Sequence, residues 1–146
     1  MKTIVAIWHS AAMGKTDTVR EIAQNLMRIY PHYKAIFPNP TIVPSKYDFR
    51  LVIEIKGKII GFESQGDPKT NLQKRLEELV TKYNCDIIYC TTRTRGETVR
   101  AVERVANIFG YDQIWTSTYQ TTTNHSLVNN LKAMHIIDLT QKLGLL

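Results

Sequence analysis

Along the chain, short continuous runs of apolar residues alternate with longer segments in which apolar residues recur at helical spacing. Apolar runs typical of buried strands cover residues 4–8, 59–63, 85–90 and 111–117. Apolar stripes at helical spacing cover residues 15–30, 70–83 and 97–109, and a C-terminal region that begins at 125. Alternating strands and helices are typical of an α/β protein in which helices cover both faces of a mostly parallel sheet. The pattern therefore predicts a three-layer sandwich.

One segment departs from this alternation and predicts an antiparallel hairpin. Between Tyr47 and Ile55 apolar and polar residues alternate, which indicates a strand with one solvent-facing side at an antiparallel or edge position. The turn residues Lys56-Gly57-Lys58 then lead into the more apolar run at 59–63. In the proline-containing connection before the hairpin, a short edge strand at 41–43 is a further expectation.

The length of 146 residues predicts a single domain, residues 1–146, large enough for one sizeable core. No run of about 18 apolar residues occurs, so we expect no membrane span. The N-terminus lacks the basic and apolar segments that together form a signal peptide. A cytoplasmic location is therefore expected.

The chain has two cysteines, Cys85 and Cys90, on one apolar run. An odd separation along a strand places two side chains on opposite faces of the sheet. We therefore expect two buried free thiols that neither form a disulfide nor share a metal ion.

Lysine and arginine together number 19, against 13 for aspartate and glutamate, which gives a formal net charge of +6. This excess favours anionic partners such as nucleotides, phosphorylated metabolites or nucleic acid. The positive charges are scattered along the chain, so the charge balance alone does not establish nucleic-acid binding.

The segment between the first predicted strand and the first predicted helix carries the strongest chemical signal. A turn of small residues, Ser10-Ala11-Ala12, leads into Met13-Gly14-Lys15-Thr16 and then into the helix. The backbone N–H groups of such a turn and the positive end of the helix dipole attract a phosphate chain. The alternative is a glycine-containing turn with an exposed lysine and no ligand.

The end of this segment, Gly14-Lys15-Thr16, resembles the Walker A motif of P-loop NTPases, G-x-x-x-x-G-K-[ST], with His9 at the position of the first glycine. The resemblance implies a P-loop-like fold that binds ATP or GTP. It also implies that Lys15 contacts the β- and γ-phosphates and that the Thr16 hydroxyl binds Mg²⁺. The residues expected to contact the nucleotide are Ser10, Ala11, Ala12, Met13, Gly14, Lys15, Thr16 and Asp17.

The strand at 59–63 runs into a polar turn that contains glycine, Ser64-Gln65-Gly66-Asp67-Pro68. Open α/β sheets bind ligands at the carboxyl ends of their strands, and P-loop NTPases place a magnesium-binding carboxylate after an apolar strand. By this resemblance Asp67 is the candidate metal ligand and Glu63 the second candidate. Gln65 or Asp67 is also a candidate for orienting an attacking water or hydroxyl. The alternative is that Asp67-Pro68 caps the next helix.

The third long apolar run is followed by Thr91-Thr92-Arg93-Thr94-Arg95-Gly96. Arginine presents a planar guanidinium group that suits phosphate. The predicted topology places this loop at the same sheet edge as the loop between the first strand and the first helix. Arg93 and Arg95 are therefore predicted to stabilise negative charge during phosphoryl transfer. The alternative is that both are surface arginines paired with Glu97 and Glu103.

Two functions are compatible with these residues. The first is a small kinase or NTPase in which Lys15, Asp67, Arg93 and Arg95 carry Mg²⁺-dependent phosphoryl transfer or hydrolysis. The second is a non-catalytic module that holds a nucleotide, another anion or nucleic acid on a degenerate loop. The distance between Asp67 and Thr16 distinguishes the two, because catalysis requires both residues to share one magnesium ion.

Overall fold

The computed structural model describes residues 2–9 and 15–146, and in the second segment the side chains from residue 17 onward. In chain order the elements are β1 (Thr3–Trp8), α1 (Lys15–Ile29), β2 (Lys34–Phe37), β3 (Arg50–Ile55), β4 (Lys58–Glu63), α2 (Leu72–Thr81), β5 (Ile87–Thr92), α3 (Glu97–Phe109), β6 (Asp112–Ser117) and α4 (His125–Lys142). This order confirms the predicted alternation and the predicted hairpin. As far as the chain is described, none of these helices has the length and apolar character of a membrane span.

The six strands form one mixed sheet in the order β2-β3-β4-β5-β1-β6. β5 pairs in parallel with β4 and with β1, and β1 pairs in parallel with β6. β3 runs antiparallel to both of its neighbours, β2 and β4. The structure therefore confirms an α/β sheet that combines parallel strands with an antiparallel hairpin.

Each face of the sheet has a core of its own, because successive strand residues point to opposite faces. Val5 and Ile7 of β1 belong to a cluster with residues of α1 and α4. Ile4 and Ala6 belong to a second cluster with residues of α2 and α3. All four side chains are fully buried. The protein is thus a three-layer sandwich in which two helices cover each face.

The first edge strand lies earlier in the chain than predicted. β2 covers Lys34–Phe37 and pairs with β3, whereas residues 41–43 form no strand in the described structure. Ala35 is opposite Ile53 in this pairing, a long-range contact that the local pattern does not encode. Ile42 is 60% exposed, so the prediction of an edge strand at 41–43 is wrong.

The alternating segment 47–55 predicts the hairpin correctly but not the burial of its second face. Leu51 faces the core with α1 and Val52 faces the core with α2, and both side chains are fully buried. β2 rather than β3 occupies the edge of the sheet. In the hairpin turn, Lys56 and Gly57 both have positive φ (51° and 80°), as a two-residue turn that matches the strand twist requires.

Both cysteines are buried free thiols, as predicted, but they lie in the same core cluster. Cys85 precedes the strand, and its N–H donates to the Leu79 carbonyl at the end of α2 (3.2 Å). β5 begins only at Ile87, so strand periodicity does not apply to Cys85 and the expectation of opposite faces is wrong. Burial raises the pKa of Cys85 to about 12 and also raises the pKa of Cys90.

Candidate functional site

Four parallel strands, β1, β4, β5 and β6, end at one edge of the sheet, called here the carboxyl edge. After β1 the chain crosses one face through α1 and continues to β2 at the far side of the sheet. After β5 it crosses the other face through α3 and continues to β6. β1 and β5 are neighbours in the sheet. The chain that follows β1 and the chain that follows β5 therefore leave two adjacent strands in opposite directions. Such a switch point creates a crevice in which open α/β sheets bind ligands.

At this switch point a backbone hydrogen bond to β5 holds His9, the residue before the predicted phosphate loop. The His9 N–H donates to the Thr92 carbonyl (3.1 Å), one residue beyond the last parallel pair of β1 with β5. His9 is 2% exposed. α1 begins at Lys15, so the elements predicted on both sides of the loop are confirmed. Several expected phosphate contacts lie outside the described residues and side chains and stay predictions: Ser10, Ala11, Ala12, Met13, Gly14, Lys15 and Thr16.

The turn after β4 is pressed against the end of β5 at Gly66. A Cβ atom at this position would lie 1.9 Å from the Thr91 carbonyl oxygen, so only glycine allows the two backbones to approach so closely. The buried Thr91 hydroxyl donates to the Ser64 carbonyl (2.8 Å) and strengthens the same contact. This packing brings the next residue, Asp67, from the end of β4 towards the end of β5.

Two of the predicted site residues form an ion pair. Arg93 Nε donates to Asp67 Oδ1 at 3.1 Å, and the two side chains are 34% and 47% exposed. The hydroxyl of Thr98, a buried residue in the first turn of α3, accepts the Arg93 N–H (2.9 Å). The pair is therefore anchored from both sides and still accessible to a ligand at the carboxyl edge.

The structural alternatives raised for these residues are not observed. Asn71 is the N-cap residue of α2, so Asp67 does not cap that helix. Arg93 pairs with Asp67 rather than with a glutamate of α3. Arg95 is exposed, and no ion pair joins it to any residue whose side chain the structure describes.

Glu63, the second candidate metal ligand, belongs to the interior. Its side chain is 1% exposed, and Oε1 accepts a hydrogen bond from Arg50 Nε (2.9 Å). Arg50 also donates to Glu78 Oε2 (2.8 Å) and to the Arg75 carbonyl (3.1 Å). Burial raises the pKa of Glu63, and the nearby Arg50 counteracts only part of this effect. This buried pair joins β3, β4 and α2, and its carboxylate is inaccessible to a metal ion.

Arg20, on α1, is a residue that sequence reasoning missed. It is 8% exposed and donates to the carbonyls of Pro44 (2.6 Å) and Tyr47 (3.2 Å). It also pairs with Asp17, an expected nucleotide contact whose side chain is 56% exposed. Arg20 therefore ties the connection before β3 to the first turns of α1. No feature of the sequence indicates this role, because the helical pattern does not reveal long-range carbonyl partners.

Asp67 is the described residue that best fits the implied magnesium ion. In nucleotide sites Mg²⁺ is held by one or two carboxylates together with phosphate oxygens and water. Asp67 supplies an accessible carboxylate at the carboxyl edge, with Oδ1 bonded to Arg93. No group of three or more His, Cys, Asp or Glu residues suited to a metal occurs in the part of the chain that the structure describes.

No protein-family model, no curated protein and no solved structure matches the chain. The residues at the carboxyl edge and their geometry are therefore the basis for a functional assignment.

Proposed function

We propose that the protein is a small, kinase-like P-loop NTPase that binds ATP or GTP at the carboxyl edge and catalyses Mg²⁺-dependent phosphoryl transfer or hydrolysis. The observation that carries the proposal is the position of the two elements that flank residues 10–14. β1 ends at Trp8 beside the switch point, and α1 begins at Lys15. A helix N-terminus beside a switch point favours a phosphate chain, because the sheet topology leaves a crevice and the helix dipole attracts an anion.

Each predicted residue has a role that follows from its chemistry. The loop amides and the Lys15 ammonium bind the phosphates. Thr16 and Asp67 hold Mg²⁺, which when bound offsets the negative charge of the phosphates. Arg93 and Arg95, at the end of β5, stabilise the negative charge that develops on the transferred group.

A non-catalytic module is the second candidate function, and the contact between Asp67 and Arg93 favours it. An arginine 3.1 Å from the carboxylate offsets its charge and weakens its attraction for a cation. In this case the loop holds a nucleotide, another anion or nucleic acid without turnover, and the net charge of +6 contributes to the affinity.

Thermal unfolding with ATP or GTP, each with and without Mg²⁺, tests nucleotide binding. At a nucleotide concentration 100 times Kd, binding to the folded state adds about 2.7 kcal/mol to the free energy of unfolding. Lys15→Ala is expected to lose this stabilisation because the phosphates lose their ammonium partner. The control Lys82→Ala, which removes an exposed lysine at the C-terminal end of α2, is expected to keep it. Equal stabilisation in wild type and Lys15→Ala would contradict the proposal.

Formation of nucleoside diphosphate separates the two candidate functions. Catalysis predicts Mg²⁺-dependent turnover that the double variant Arg93→Gln/Arg95→Gln loses while it keeps the nucleotide-induced stabilisation. Nucleotide binding without turnover favours the non-catalytic module. Stabilisation by an oligonucleotide alone, falling as salt rises, favours nucleic-acid binding.

A further inference from the structure

A small cleft opens between the turn after β4 and the first turns of α2 and α3. Its volume is about 90 Å³, room for a few water molecules or one small anionic group. The polar residues of its wall are Asp67, Lys69, Asn71, Gln73, Glu97, Thr98 and Arg104. None of the roles assigned above uses Lys69, Gln73 or Arg104.

Two hydrogen bonds connect the cleft to His9, the last described residue before the predicted phosphate loop. Thr98, in the cleft wall, accepts the N–H of Arg93 (2.9 Å). The residue before Arg93 is Thr92, whose carbonyl accepts the His9 N–H (3.1 Å). His9 precedes the loop directly, so a molecule in the cleft lies at the same sheet edge as the proposed nucleotide.

The cleft wall carries two cations, Lys69 and Arg104, and two carboxylates, Asp67 and Glu97. Lys69 and Arg104 are exposed cations on different walls, one in the turn before α2 and one on α3. Arg104 Nη1 donates to Gln73 Oε1 (3.5 Å), a contact that joins the two helices across the cleft. Asp67 supplies a hydrogen-bond acceptor in the same cleft, and Glu97 disfavours a ligand with several negative charges.

We propose that this cleft is the acceptor subsite of the enzyme and that the acceptor is a small hydroxylated compound with one phosphate or carboxylate group. The inference rests on the proposed phosphoryl transfer. Lys69 and Arg104 bind the anionic group, because charge-assisted hydrogen bonds from two directions fix its position. The acceptor hydroxyl then lies on the Asp67 side of the cleft.

The transfer is balanced in bonds and protons. The acceptor hydroxyl oxygen forms a bond to the γ-phosphorus, and the bond from that phosphorus to the β,γ-bridging oxygen breaks. The nucleoside diphosphate leaves with the electron pair. The hydroxyl proton passes to solvent water, because the Asp67 carboxylate is the proposed Mg²⁺ ligand and accepts a hydrogen bond from Arg93.

Calorimetric titration with glycerol 3-phosphate, glycerate and inorganic phosphate tests the subsite. Wild type is expected to bind one of the two hydroxylated probes more tightly than inorganic phosphate. Which one binds identifies the anionic group. Lys69→Gln/Arg104→Gln is expected to weaken this binding by about 10-fold or more. The matched control Lys74→Gln/Arg100→Gln removes a lysine and an arginine near the same two helix starts but outside this cleft, and a change below about 2-fold is expected.

Nucleotide-induced stabilisation, measured on the same variants, separates failure of the subsite from failure of the nucleotide site. The cleft variant is expected to keep the stabilisation that Lys15→Ala loses, and Lys15→Ala is expected to keep probe binding. Absence of probe binding in wild type, or equal binding in the cleft variant, would overturn the subsite while leaving nucleotide binding intact. Probe binding by a protein that no nucleotide stabilises would overturn the acceptor role together with the proposed function.

Discussion

The carboxyl edge contains two arginine–carboxylate pairs that differ in burial, and their carboxylates, Glu63 and Asp67, are close together in the sequence. The inner pair joins Arg50 to Glu63, the last residue of β4, at 2.9 Å, and the Glu63 side chain is 1% exposed. The outer pair joins Arg93 to Asp67 at 3.1 Å, and the Asp67 side chain is 47% exposed. The two pairs thus have the same chemistry and similar geometry in different surroundings.

The difference shows that burial, rather than residue type, separates a structural pair from a candidate functional pair. Burial raises the pKa of Glu63, and in the interior the cost of desolvation must be offset by well-placed partners. Arg50 supplies them, because it also bonds Glu78 and the Arg75 carbonyl. The outer pair has no comparable cost, since solvent screens its charges.

The largest change in the free energy of unfolding is expected when the inner pair, Arg50 and Glu63, is broken. Arg50→Gln removes the nearer cation of the buried Glu63 carboxylate and leaves Arg75, 4.0 Å from it in the wild type, which is expected to lower the free energy of unfolding by about 3 kcal/mol. Arg93→Gln, the matched change in the outer pair, is expected to cost about 1 kcal/mol or less. Urea unfolding measures both, and equal losses would remove the distinction between the two pairs.

A smaller loss is expected from the contact that positions the outer pair. Gly66→Ala places a methyl group against the Thr91 backbone and is expected to lower the free energy of unfolding by about 1–3 kcal/mol. Gly61→Ala is the control, since its nearest obstacle is a side-chain atom, the Cys85 sulfur at 2.9 Å. A chemical denaturation curve for each variant gives the comparison, and a greater loss in Gly61→Ala would contradict this account.

The third expected effect is a change in the pH dependence of stability. Because the folded-state pKa of Glu63 is raised, the folded state binds this proton more tightly than the unfolded state does. Wild type is therefore expected to lose stability relative to Glu63→Gln as pH rises from the ordinary value of 4.5 through the raised pKa. Arg50 holds the pKa of Glu78 below its usual value, but this pair is present in both proteins and cancels in the difference. A constant difference between pH 4 and pH 8 would contradict the assignment.

The smallest effect on stability is expected at the outer carboxylate, where the effect on turnover is large. Asp67→Asn is expected to change the free energy of unfolding by about 1 kcal/mol or less and, because it removes the proposed Mg²⁺ carboxylate, to lower kcat by about 100-fold. Asp138→Asn, an exposed carboxylate paired with Lys142 on α4, is the control and is expected to keep full turnover. Steady-state kinetics at saturating nucleotide checks both, and unchanged kcat in Asp67→Asn would remove its catalytic role.

The elements with a long, regular apolar pattern were predictable from the sequence. α3 at 97–109 was predicted with its observed bounds. Its apolar stripe is complete and Gly110, with φ of 73°, ends it. The short edge strand β2 was misplaced, because four partly exposed residues carry little pattern and their pairing with β3 is a long-range contact. Cys85 was misplaced because the apolar run continues through a turn before β5.

At the candidate site, topology was predictable and individual contacts were not. The alternation of strands and helices correctly predicted that Asp67 and Arg93 would lie at one edge. Their ion pair depends on the close approach of Gly66 to Thr91, for which the glycine in the turn was the available signal. Thr98 was missed although a threonine in the first turn of a helix often bonds a nearby backbone group.

The most direct test of the central claim is the change in backbone amide NMR signals when Mg²⁺ and ATP or GTP are added. Amides of residues 10–16 are expected to shift most, because they donate to the phosphate chain. The groove at the opposite edge, between the end of α1 and Lys56, is expected to stay unchanged. Saturable shifts confined to that groove, or none at residues 10–16, would contradict a phosphate loop at the start of α1.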